Sequence, residues 1–397
     1  MTNSAVSDHA AAPTNRKTTA LRRILICAGE ASGENYGAQF IAALRLLRPE
    51  LEFFGVGGDR MREAGCETVV DARELAVVGI TEILSHLPRI YGEFRKLIYE
   101  TDQRRPDAAV LIDSPAFNLK VARELHRRNI PVIYYVAPQF WAWRQGRVRY
   151  IRRYFRKTLV IFPFEEKFYR SHGVDAEFVG HPLANVPRPA ISREDFARQY
   201  GLDVSKTWIA LLPGSRVKEV RMNLPTIAQA ALRMGGGYEF LLPVAPTLDR
   251  NFVEGMIAQS KAPIHLTSGS LATLAVSRAA VVASGTATVE AAAMDTPFVM
   301  VYRVTPSSWA LGRRMLKVNR FAMVNLLADE EVVPELVQSH FTVENVVAEL
   351  EKILPDGPAR SKMLAGLARV RATLRAGNVG DKPPAQRAAE ATLAALQ

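Results

Sequence analysis

Asp113 stands at a position where its side chain could take part in chemistry. It follows a short apolar run, residues 108–112, which predicts a buried strand, and it precedes Ser114 and Pro115. A carboxylate held at the end of such a strand could take a proton from a substrate hydroxyl group. The same residue could instead cap the helix that follows, because Asp is favoured at helix N-termini.

A loop of small residues follows another apolar run near the start of the chain. Residues 29–34 read Gly-Glu-Ala-Ser-Gly-Glu and separate a predicted strand from a predicted helix at 36–47. Small residues let a ligand approach the main chain, and a helix N-terminus favours anions. The spacing is neither that of a dinucleotide-binding loop nor that of a P-loop. The alternative is an ordinary strand-to-helix turn capped by Ser32.

Two loops in the second half of the chain carry groups suited to phosphate. Arg216 ends the run Pro-Gly-Ser-Arg after a predicted strand, and its guanidinium fork suits phosphate oxygens, although a surface Arg without a ligand is the alternative. Residues 283–290 lead from a strand into a helix whose N–H groups could hold a pyrophosphate, with Glu290 near a ribose. The alternative for this loop is a capping box, with Thr286 or Ala287 at the cap.

Short apolar runs alternate with helical patterns in both halves of the chain. The predicted strands are residues 23–28, 53–56, 108–112, 132–136, 208–212, 240–244 and 280–283. This alternation predicts βαβ units and parallel sheets, and the prolines at 181–189 predict a linker between two domains. The expected fold class is therefore α/β, with two Rossmann-like domains facing a cleft. Ligands in such sheets bind at the carboxyl ends of the strands, where the loops above lie.

The charge of the chain favours an anionic partner. Its 397 residues carry a formal net charge of +11, which suits nucleic acid, acidic lipid or a phosphorylated substrate. Residues 141–157 interleave arginines with aromatic residues, a pattern typical of nucleic-acid surfaces, of amphipathic helices on anionic lipid, or of a solvated face. Two cysteines are too few for a disulfide framework. Scattered histidines and the lack of an Asp-x-Asp motif predict no metal site.

Taken in order, these loops resemble the lipid-A-disaccharide synthase family of bacteria, from about residue 23 to the C-terminal helices. The matching motifs are Ala-Gly-Glu-Ala-Ser-Gly at 28–33, Val-Gly-Ile at 78–80, Ile-Asp-x-Pro-x-Phe-Asn at 112–118, Trp-Ala-Trp-Arg at 141–144, Leu-Pro-Gly-Ser-Arg at 212–216, Ala-Ser-Gly-Thr-Ala-Thr at 283–288 with Glu290, and Asn-Leu-Leu at 325–327. The sequence departs from the family at Glu34, where Asp is usual, and at Asp59 and Val324, where Pro is common.

The resemblance implies the GT-B glycosyltransferase fold, without a bound metal or other cofactor. It implies inverting transfer of 2,3-diacylglucosamine from UDP to the 6-hydroxyl of 2,3-diacylglucosamine 1-phosphate. It also implies a peripheral protein on the cytoplasmic face of the inner membrane. Asp113 is then the expected base, with Glu30 as the other candidate. The expected donor-binding residues are Arg216, Ser284, Gly285, Thr286, Thr288, Glu290 and Asn325, and the expected acceptor or loop residues are Ser32, Gly33 and Asn118.

Four segments are expected along the chain. They are a disordered tail at 1–20, an acceptor and membrane-facing domain at 21–186, a UDP-sugar donor domain at 187–357, and C-terminal helices at 358–397 that pack back on the N-terminal domain. Within the acceptor domain, residues 79–94 place apolar side chains at helical spacing, which ordinarily indicates a helix packed on a core. The resemblance instead places this region near acyl chains. We therefore expect Ile83, Leu84 and Leu87 to be partly exposed toward an anionic membrane surface.

Two other functions remain open from the sequence. A UDP-sugar epimerase of the same architecture would need no lipid. A nucleic-acid-binding protein would explain the basic charge but not the four loops, and the resemblance implies no nucleic-acid partner.

Overall fold

The computed structural model describes residues 21–29, 31–75, 80–313, 316–375 and 382–397. Within these ranges the side chains of residues 31, 32, 80–87 and 311 are not described. The predicted tail at 1–20 therefore lies outside the described residues, as does Glu30.

A parallel sheet forms the first half of the described chain, with seven strands in the order β3-β2-β1-β4-β5-β6-β7. The strands are β1 (Arg23–Ala28), β2 (Glu52–Gly57), β3 (Cys66–Asp71), β4 (Ala108–Ile112), β5 (Val132–Tyr135), β6 (Lys157–Val160) and β7 (Ala176–Phe178). The helices are α1 (Ala31–Leu47), α2 (Asp59–Glu63), α3 (Ala72–Leu75), α4 (Ile80–Arg104), α5 (Pro115–Arg127), α6 (Val148–Tyr154) and α7 (Pro163–Ser171). Because β1 pairs with both β2 and β4, the strand order reverses there and opens a crevice at the carboxyl ends.

The second half repeats this plan, with six described strands in the order β10-β9-β8-β11-β12-β13. The strands are β8 (Thr207–Leu212), β9 (Tyr238–Pro243), β10 (Ile264–Thr267), β11 (Ala279–Ala283), β12 (Phe298–Tyr302) and β13 (Glu335–Val337). The helices are α8 (Arg193–Tyr200), α9 (Val217–Met234), α10 (Arg250–Ser260), α11 (Ser270–Val276), α12 (Thr286–Ala293), α13 (Pro306–Arg313), α14 (Met323–Ala328) and α15 (Val343–Ile353). The crevice of this sheet lies between β8 and β11.

The central strands are apolar because both of their faces are covered by helices. Every residue of β4 and of β11 is buried, as a parallel sheet in an α/β fold requires. Along the chain, the strands of the first sheet precede the proline-rich segment 181–189, and the strands of the second sheet follow it. The predicted α/β fold class with two parallel sheets is confirmed.

The two C-terminal helices pack on different halves of the molecule. Helix α16 (Pro358–Arg375) contacts α12, α14 and α15 of the second half, and its Gly366 leaves room for Val332. Helix α17 (Pro384–Leu396) contacts α1 and β6 of the first half through a face of small buried residues. The expectation that both helices pack on the N-terminal domain is therefore wrong for α16. Its apolar face, which includes Met363 and Leu367, covers the helices beside the second sheet.

Candidate active site

Asp113 lies immediately after β4, at the crevice of the first sheet. Its φ is 49° and that of Ser114 is 45°, so two consecutive residues other than glycine adopt the left-handed conformation. This conformation is costly for such residues and is retained where the surrounding structure enforces it, often at functional sites. Ser114, rather than Asp113, occupies the N-cap position of α5. The turn therefore places Asp113 at the carboxyl end of β4, beside the crevice, rather than at the helix cap.

Two side chains hold this turn in place. The Asn118 side chain is completely buried, and its Nδ2 donates to the carbonyl oxygens of Ile112 at 3.0 Å and of Asp113 at 2.7 Å. The Tyr134 hydroxyl donates to the Asp113 carbonyl oxygen at 2.8 Å. Asn118 thus shapes the turn that carries the candidate base.

The first glycine loop packs directly against the Asp113 turn. A Cβ atom added to Gly33, in the first turn of α1, would lie 3.7 Å from the Asp113 Cβ. A Cβ atom added to Gly29 would lie 2.9 Å from the Ser114 Oγ, which is closer than such atoms approach in proteins. A side chain at Gly33 would thus make ordinary contact, whereas a side chain at Gly29 would require Ser114 to shift. Ser32 lies inside α1 rather than at its cap, and its side chain is outside the described residues.

Glu34, where the family usually has Asp, has a partner within the first half. Its Oε1 accepts a hydrogen bond from the main-chain N–H of Arg60 at 2.9 Å, near the start of α2. The carboxylate therefore satisfies one of the N–H groups that a helix N-terminus leaves open. The longer Glu side chain keeps a hydrogen-bonding function at this position.

Arg216 lies at the N-terminus of α9, after the carboxyl end of β8. Its Nη1 contacts the Glu219 Oε1 at 3.0 Å, and its side chain is 63% exposed. The other Glu219 oxygen accepts from the main-chain N–H groups of Ser215, at 2.9 Å, and Arg216, at 3.3 Å. Gly214 has a φ of 128°, and a Cβ there would lie 2.5 Å from the Glu219 Cβ. The loop thus needs glycine at this position, and it presents the Arg216 guanidinium to solvent at the strand end.

The loop between β11 and α12 departs from the capping-box alternative. Gly285 is the N-cap residue with a φ of 136°, and no side chain caps the helix. A Cβ atom at Gly285 would meet nothing within 4 Å, so the helix N-terminus is open to approach. Thr286, the first helical residue, is exposed. Gly285 and Thr286 are therefore placed where a diphosphate could reach main-chain N–H groups.

The hydroxyls of Ser284 and Thr288 have structural partners instead. Ser284 donates to the Phe321 carbonyl oxygen at 2.7 Å, and Thr288 donates to the Gly285 carbonyl oxygen at 2.8 Å. Thr288 is completely buried. These two hydroxyls hold the loop in shape, and donor binding by Ser284 and Thr288 remains a prediction.

Asn325, the other expected donor-binding residue of this half, also makes its side-chain contacts within the protein. It is 1% exposed, and its Nδ2 donates to the Val333 carbonyl oxygen and to the Glu335 Oε1, each at 2.8 Å. Its Oδ1 accepts from the N–H groups of Val332 and Val333 at 2.8 and 3.0 Å. The whole amide is thus used within the protein. Because Glu335 in turn accepts from the Phe321 N–H at 2.9 Å, Asn325 supports the segment that also binds Ser284.

Glu290, in the second half of the molecule, lies close enough to the first half to influence one of its residues. Burial raises the pKa of its carboxyl group, while a hydrogen bond with Ser270 opposes that rise. Tyr36, a buried residue of α1, has its pKa raised by burial first and then by the charges of Tyr135, Glu290 and Asp113. Tyr36 therefore lies within electrostatic reach of both Asp113 and Glu290. This position could not be predicted from the sequence, because the pattern shows Tyr36 only as an apolar position of a helix.

Comparison with known proteins agrees with this arrangement of loops. The sequence profile of the lipid-A-disaccharide synthetase family matches residues 24–380. The chain belongs to this family. The lipid-A-disaccharide synthase of Koribacter versatilis is 54% identical over 378 residues, covering 94% of this chain and 99% of that one. The corresponding protein of Acidobacterium capsulatum is 51% identical over 365 residues, covering 88% and 91% of the two chains.

Solved structures show the same fold at low sequence identity. The UDP-GlcNAc 2-epimerase from Neisseria meningitidis, bound to UDP-GlcNAc, has a TM-score of 0.63 at 11% identity and covers 94% of this chain and 100% of its own. The calicheamicin glycosyltransferase CalG4 has a TM-score of 0.58 at 16% identity, covering 95% and 99%. These likenesses establish the GT-B fold. Membership of the lipid-A-disaccharide synthetase family makes this chain a glycosyltransferase rather than an epimerase.

The described part of the chain contains no group of three or more His, Cys, Asp or Glu residues that could hold a metal ion. None of its helices is both long enough and apolar enough to cross a membrane. The side chains of Ile83, Leu84 and Leu87 lie outside the described residues. Further along α4, Tyr91 is 60% exposed, whereas Leu97 is buried.

The basic and aromatic stretch at 141–157 forms a loop followed by the short helix α6. Val148 and Ile151 point into the core, while Arg149, Arg152 and Arg153 are exposed. The stretch is thus amphipathic, with its arginines on the outer surface.

Proposed function

We propose that this family member transfers 2,3-diacylglucosamine from UDP to the 6-hydroxyl of 2,3-diacylglucosamine 1-phosphate. The products are lipid A disaccharide 1-phosphate and UDP, in lipid A and lipopolysaccharide biosynthesis. The observation that carries the proposal is the placement of Asp113. A braced, left-handed turn presents this carboxylate at the crevice of one sheet, and Tyr36 lies in electrostatic reach of it and of Glu290 in the other half.

In the proposed reaction, the acceptor oxygen attacks the anomeric carbon of the donor sugar from the face opposite UDP. Asp113 takes the proton of the 6-hydroxyl as the new bond forms, and the bond from the anomeric carbon to the UDP oxygen breaks. A single displacement of this kind inverts the anomeric configuration. Glu30 remains the other candidate for the base.

The departing UDP gains negative charge that the second half must neutralise. Arg216 can provide charge-assisted hydrogen bonds, and the open N-terminus of α12 at Gly285 and Thr286 can provide main-chain N–H groups. Such prearranged donors stabilise charge as it develops in the transition state. Glu290, with its carboxyl group near the first half, is suited to accept hydrogen bonds from the ribose.

Both substrates carry acyl chains, so the acceptor half must reach a lipid surface. We propose peripheral binding to the anionic cytoplasmic face of the inner membrane, with Ile83, Leu84 and Leu87 of α4 against the lipid. The exposed Tyr91 and the nearby Arg95 and Lys96 support this placement. Replacing the three apolar residues with Ser should release the protein from anionic vesicles and raise the KM for the lipid acceptor. A large fall in Tm instead would show that these residues belong to the core.

The transfer itself is tested with the purified full-length protein. It is mixed with UDP-2,3-diacylglucosamine and 2,3-diacylglucosamine 1-phosphate in detergent micelles, and the disaccharide 1-phosphate is followed by mass spectrometry. We expect product and free UDP in equal amounts, and we expect activity to persist in EDTA. Turnover of UDP-N-acetylglucosamine without lipid, and no disaccharide, would contradict the proposal and favour epimerisation.

A further inference from the structure

A carboxylate is buried beside the candidate active site without belonging to it. Glu165 lies in the first turn of α7, at the carboxyl end of β6, and is 1% exposed. Its Oε1 accepts from the Trp141 Nε1–H at 2.9 Å. Its Oε2 accepts from the main-chain N–H groups of Phe162 at 3.1 Å and of Ile161 at 3.3 Å. Both oxygens therefore face N–H donors, the environment that a buried carboxylate needs.

The surroundings of Glu165 are otherwise apolar or neutral. Trp141 packs edge-on against Phe164, with ring centroids 4.8 Å apart. Tyr169, one turn along α7, donates its hydroxyl to the Pro138 carbonyl oxygen. On the far side of Phe162 lies His181, whose ring centroid is 5.0 Å from that of Phe162. Burial lowers the pKa of His181 to about 3, so this imidazole is neutral at physiological pH.

The residues after Trp141 cross to the second half of the molecule. The Ala142 carbonyl oxygen accepts from the main-chain N–H of Lys317 at 2.9 Å, and Trp143 forms an antiparallel bridge with Leu316. We call this main-chain pairing of 142–143 with 316–317 the clasp. It joins the loop after β5, beside the strand that carries Asp113, to a segment beyond α13 in the donor half. The clasp is two residues long and so depends on whatever fixes the 141–143 loop.

We propose that Glu165 is a positioning residue of the transfer reaction, which holds the Trp141 indole and thereby keeps the clasp closed between the two halves. The inference rests on the proposed function for its catalytic consequence. The active site draws its base from one half and its donor loops from the other, so turnover requires the halves to be held together. Loss of the indole hydrogen bond frees the loop and lowers the population of the closed arrangement.

The test compares two tryptophan variants that each lose one buried indole hydrogen bond. Trp141→Phe removes the bond to Glu165 and keeps an aromatic ring. Trp208→Phe is the matched control, because Trp208 is completely buried and its Nε1–H donates to the Asp203 carbonyl oxygen at 2.9 Å. Trp208 lies near the amino end of β8, away from the crevice. Glu165→Gln is the second variant. It replaces one of the two carboxylate oxygens, both of which accept hydrogen bonds from N–H groups, with an NH2 group that cannot accept them.

Two readouts are used for each variant. The first readout is kcat together with the UDP dissociation constant. Trp141→Phe should lower kcat at least tenfold and change the UDP dissociation constant less than twofold. Trp208→Phe should change neither quantity. The second is hydrogen exchange at the Lys317 amide, which should accelerate in Trp141→Phe and Glu165→Gln only. This second readout needs no substrate and tests the clasp even if the proposed reaction were wrong.

Unchanged kcat and unchanged Lys317 exchange in a folded Trp141→Phe would overturn the inference. An equal loss of kcat in Trp208→Phe would also overturn it, because the effect would then be a general consequence of losing a buried tryptophan. If Trp141→Phe does not fold, Glu165→Gln decides the question by the same two readouts. An inactive wild-type protein with fast Lys317 exchange in the variants would reject the proposed function and leave the clasp standing.

Discussion

The side-chain amide of Asn118 donates a 2.7 Å hydrogen bond to the main-chain carbonyl oxygen of Asp113. Asn118 is the fourth residue of α5, and Asp113 is the first residue after β4. The bond therefore closes the strand-to-helix turn on itself and holds Asp113 and Ser114 in the left-handed conformation. A catalytic carboxylate gains from such rigidity, since its position relative to the acceptor hydroxyl decides the rate.

Replacing Asp113 with Asn tests its role as the base. Asp113→Asn keeps the size of the side chain and removes its ability to accept a proton, so kcat should fall by about 100- to 10,000-fold. The UDP dissociation constant, measured by calorimetry, should stay within about twofold of the wild-type value. A near-normal kcat in Asp113→Asn would show that Asp113 is not the base. A larger loss of kcat in Glu30→Gln would instead assign the role of base to Glu30.

The brace is tested by a pair of matched asparagine variants. Asn118→Ala removes the donor to the Ile112 and Asp113 carbonyl oxygens, and Asn223→Ala removes the corresponding donor to the Pro213 carbonyl oxygen at 2.8 Å in the second half. Each loss of a buried hydrogen bond should lower the free energy of unfolding by about 1–3 kcal/mol. Asn118→Ala should reduce kcat, whereas Asn223→Ala should act on UDP affinity through the Arg216 loop. Equal effects on kcat would mean that both variants report only on stability.

Arg216→Ala should weaken UDP binding without unfolding the protein. A charge-assisted hydrogen bond contributes about 1.5–3 kcal/mol, which corresponds to roughly a 10- to 150-fold rise in the UDP dissociation constant. Arg198→Ala is the control, because Arg198 is 79% exposed and forms the same kind of short-range pair, with Asp195 at 2.8 Å. The control should bind UDP as the wild type does. Unchanged affinity in Arg216→Ala would place the diphosphate elsewhere.

Glu290→Gln tests the contact to the ribose. The wild type should bind UDP more tightly than 2′,3′-dideoxy-UDP, because the carboxylate accepts hydrogen bonds from the ribose hydroxyls. The variant should lose about tenfold in UDP affinity and most of this discrimination, since an amide offers a single weaker acceptor. Calorimetric titration of both nucleotides measures the difference. Discrimination that persists in the variant would assign the ribose contact to another residue.

Glu165 makes the stability of the protein depend on pH. Burial, opposed by hydrogen bonds from Trp141, Phe162 and Ile161, raises the pKa of its carboxyl group from 4.5 to about 7. Between these pH values the unfolded chain holds fewer protons than the folded one. The contribution of Glu165 to the free energy of unfolding should therefore fall as pH rises through this window, by up to about 1.4 kcal/mol per pH unit, and level off above pH 7.

Chemical denaturation of the wild type and of Glu165→Gln between pH 4.5 and 8 measures this slope, which the variant should lack. His181 acts in the opposite direction. Its pKa falls from 6.5 to about 3 on burial, so the unfolded chain binds more protons in that window and stability rises with pH. The comparison must therefore be made between variants rather than read from the wild-type curve. Identical slopes in the wild type and Glu165→Gln would contradict the assigned pKa.

Several central strands could be predicted from the sequence, but others could not. Strands β1 and β4 agree with the predicted bounds, because a strand covered on both faces is a continuous apolar run. The strands that were not predicted are β3, β6, β7, β10, β12 and β13. Of these, β3 and β10 lie at the edges of their sheets and are only partly buried, as in β3 with Glu67 exposed, so their apolar signal is weak. Strands β6 and β12 lie inside their sheets and are mostly buried, so weak burial does not explain why they were missed. The domain bounds at 186 and 357 remain predictions.

The loops of the candidate site were found for a general physical reason. Alternation of strands and helices makes both sheets parallel, and parallel strands bring their following loops to one edge. The sequence by itself thus located Asp113, Arg216 and the loop at 283–290, because each depends only on what comes directly before and after it. The loop at 283–290 also suggested donor contacts for Ser284 and Thr288, and the family resemblance suggested one for Asn325. These contacts remain predictions, because the hydrogen bonds that the three side chains donate lie within the protein.

Only the tertiary structure decided which distant groups meet. Tyr36 and Glu290 are far apart in the sequence, and so are Ala142 and Lys317. Yet Tyr36 lies within electrostatic reach of Glu290, and Ala142 accepts a main-chain hydrogen bond from Lys317. The hydrogen bond between Trp141 and Glu165 is likewise visible only in the structure. The sequence shows Glu165 only as a helix residue and Trp141 only as an aromatic residue in a loop. Periodicity reports whether a residue is buried, since burial follows from the local element. It does not report the partner of a buried polar group, because that partner is set by how separate elements pack.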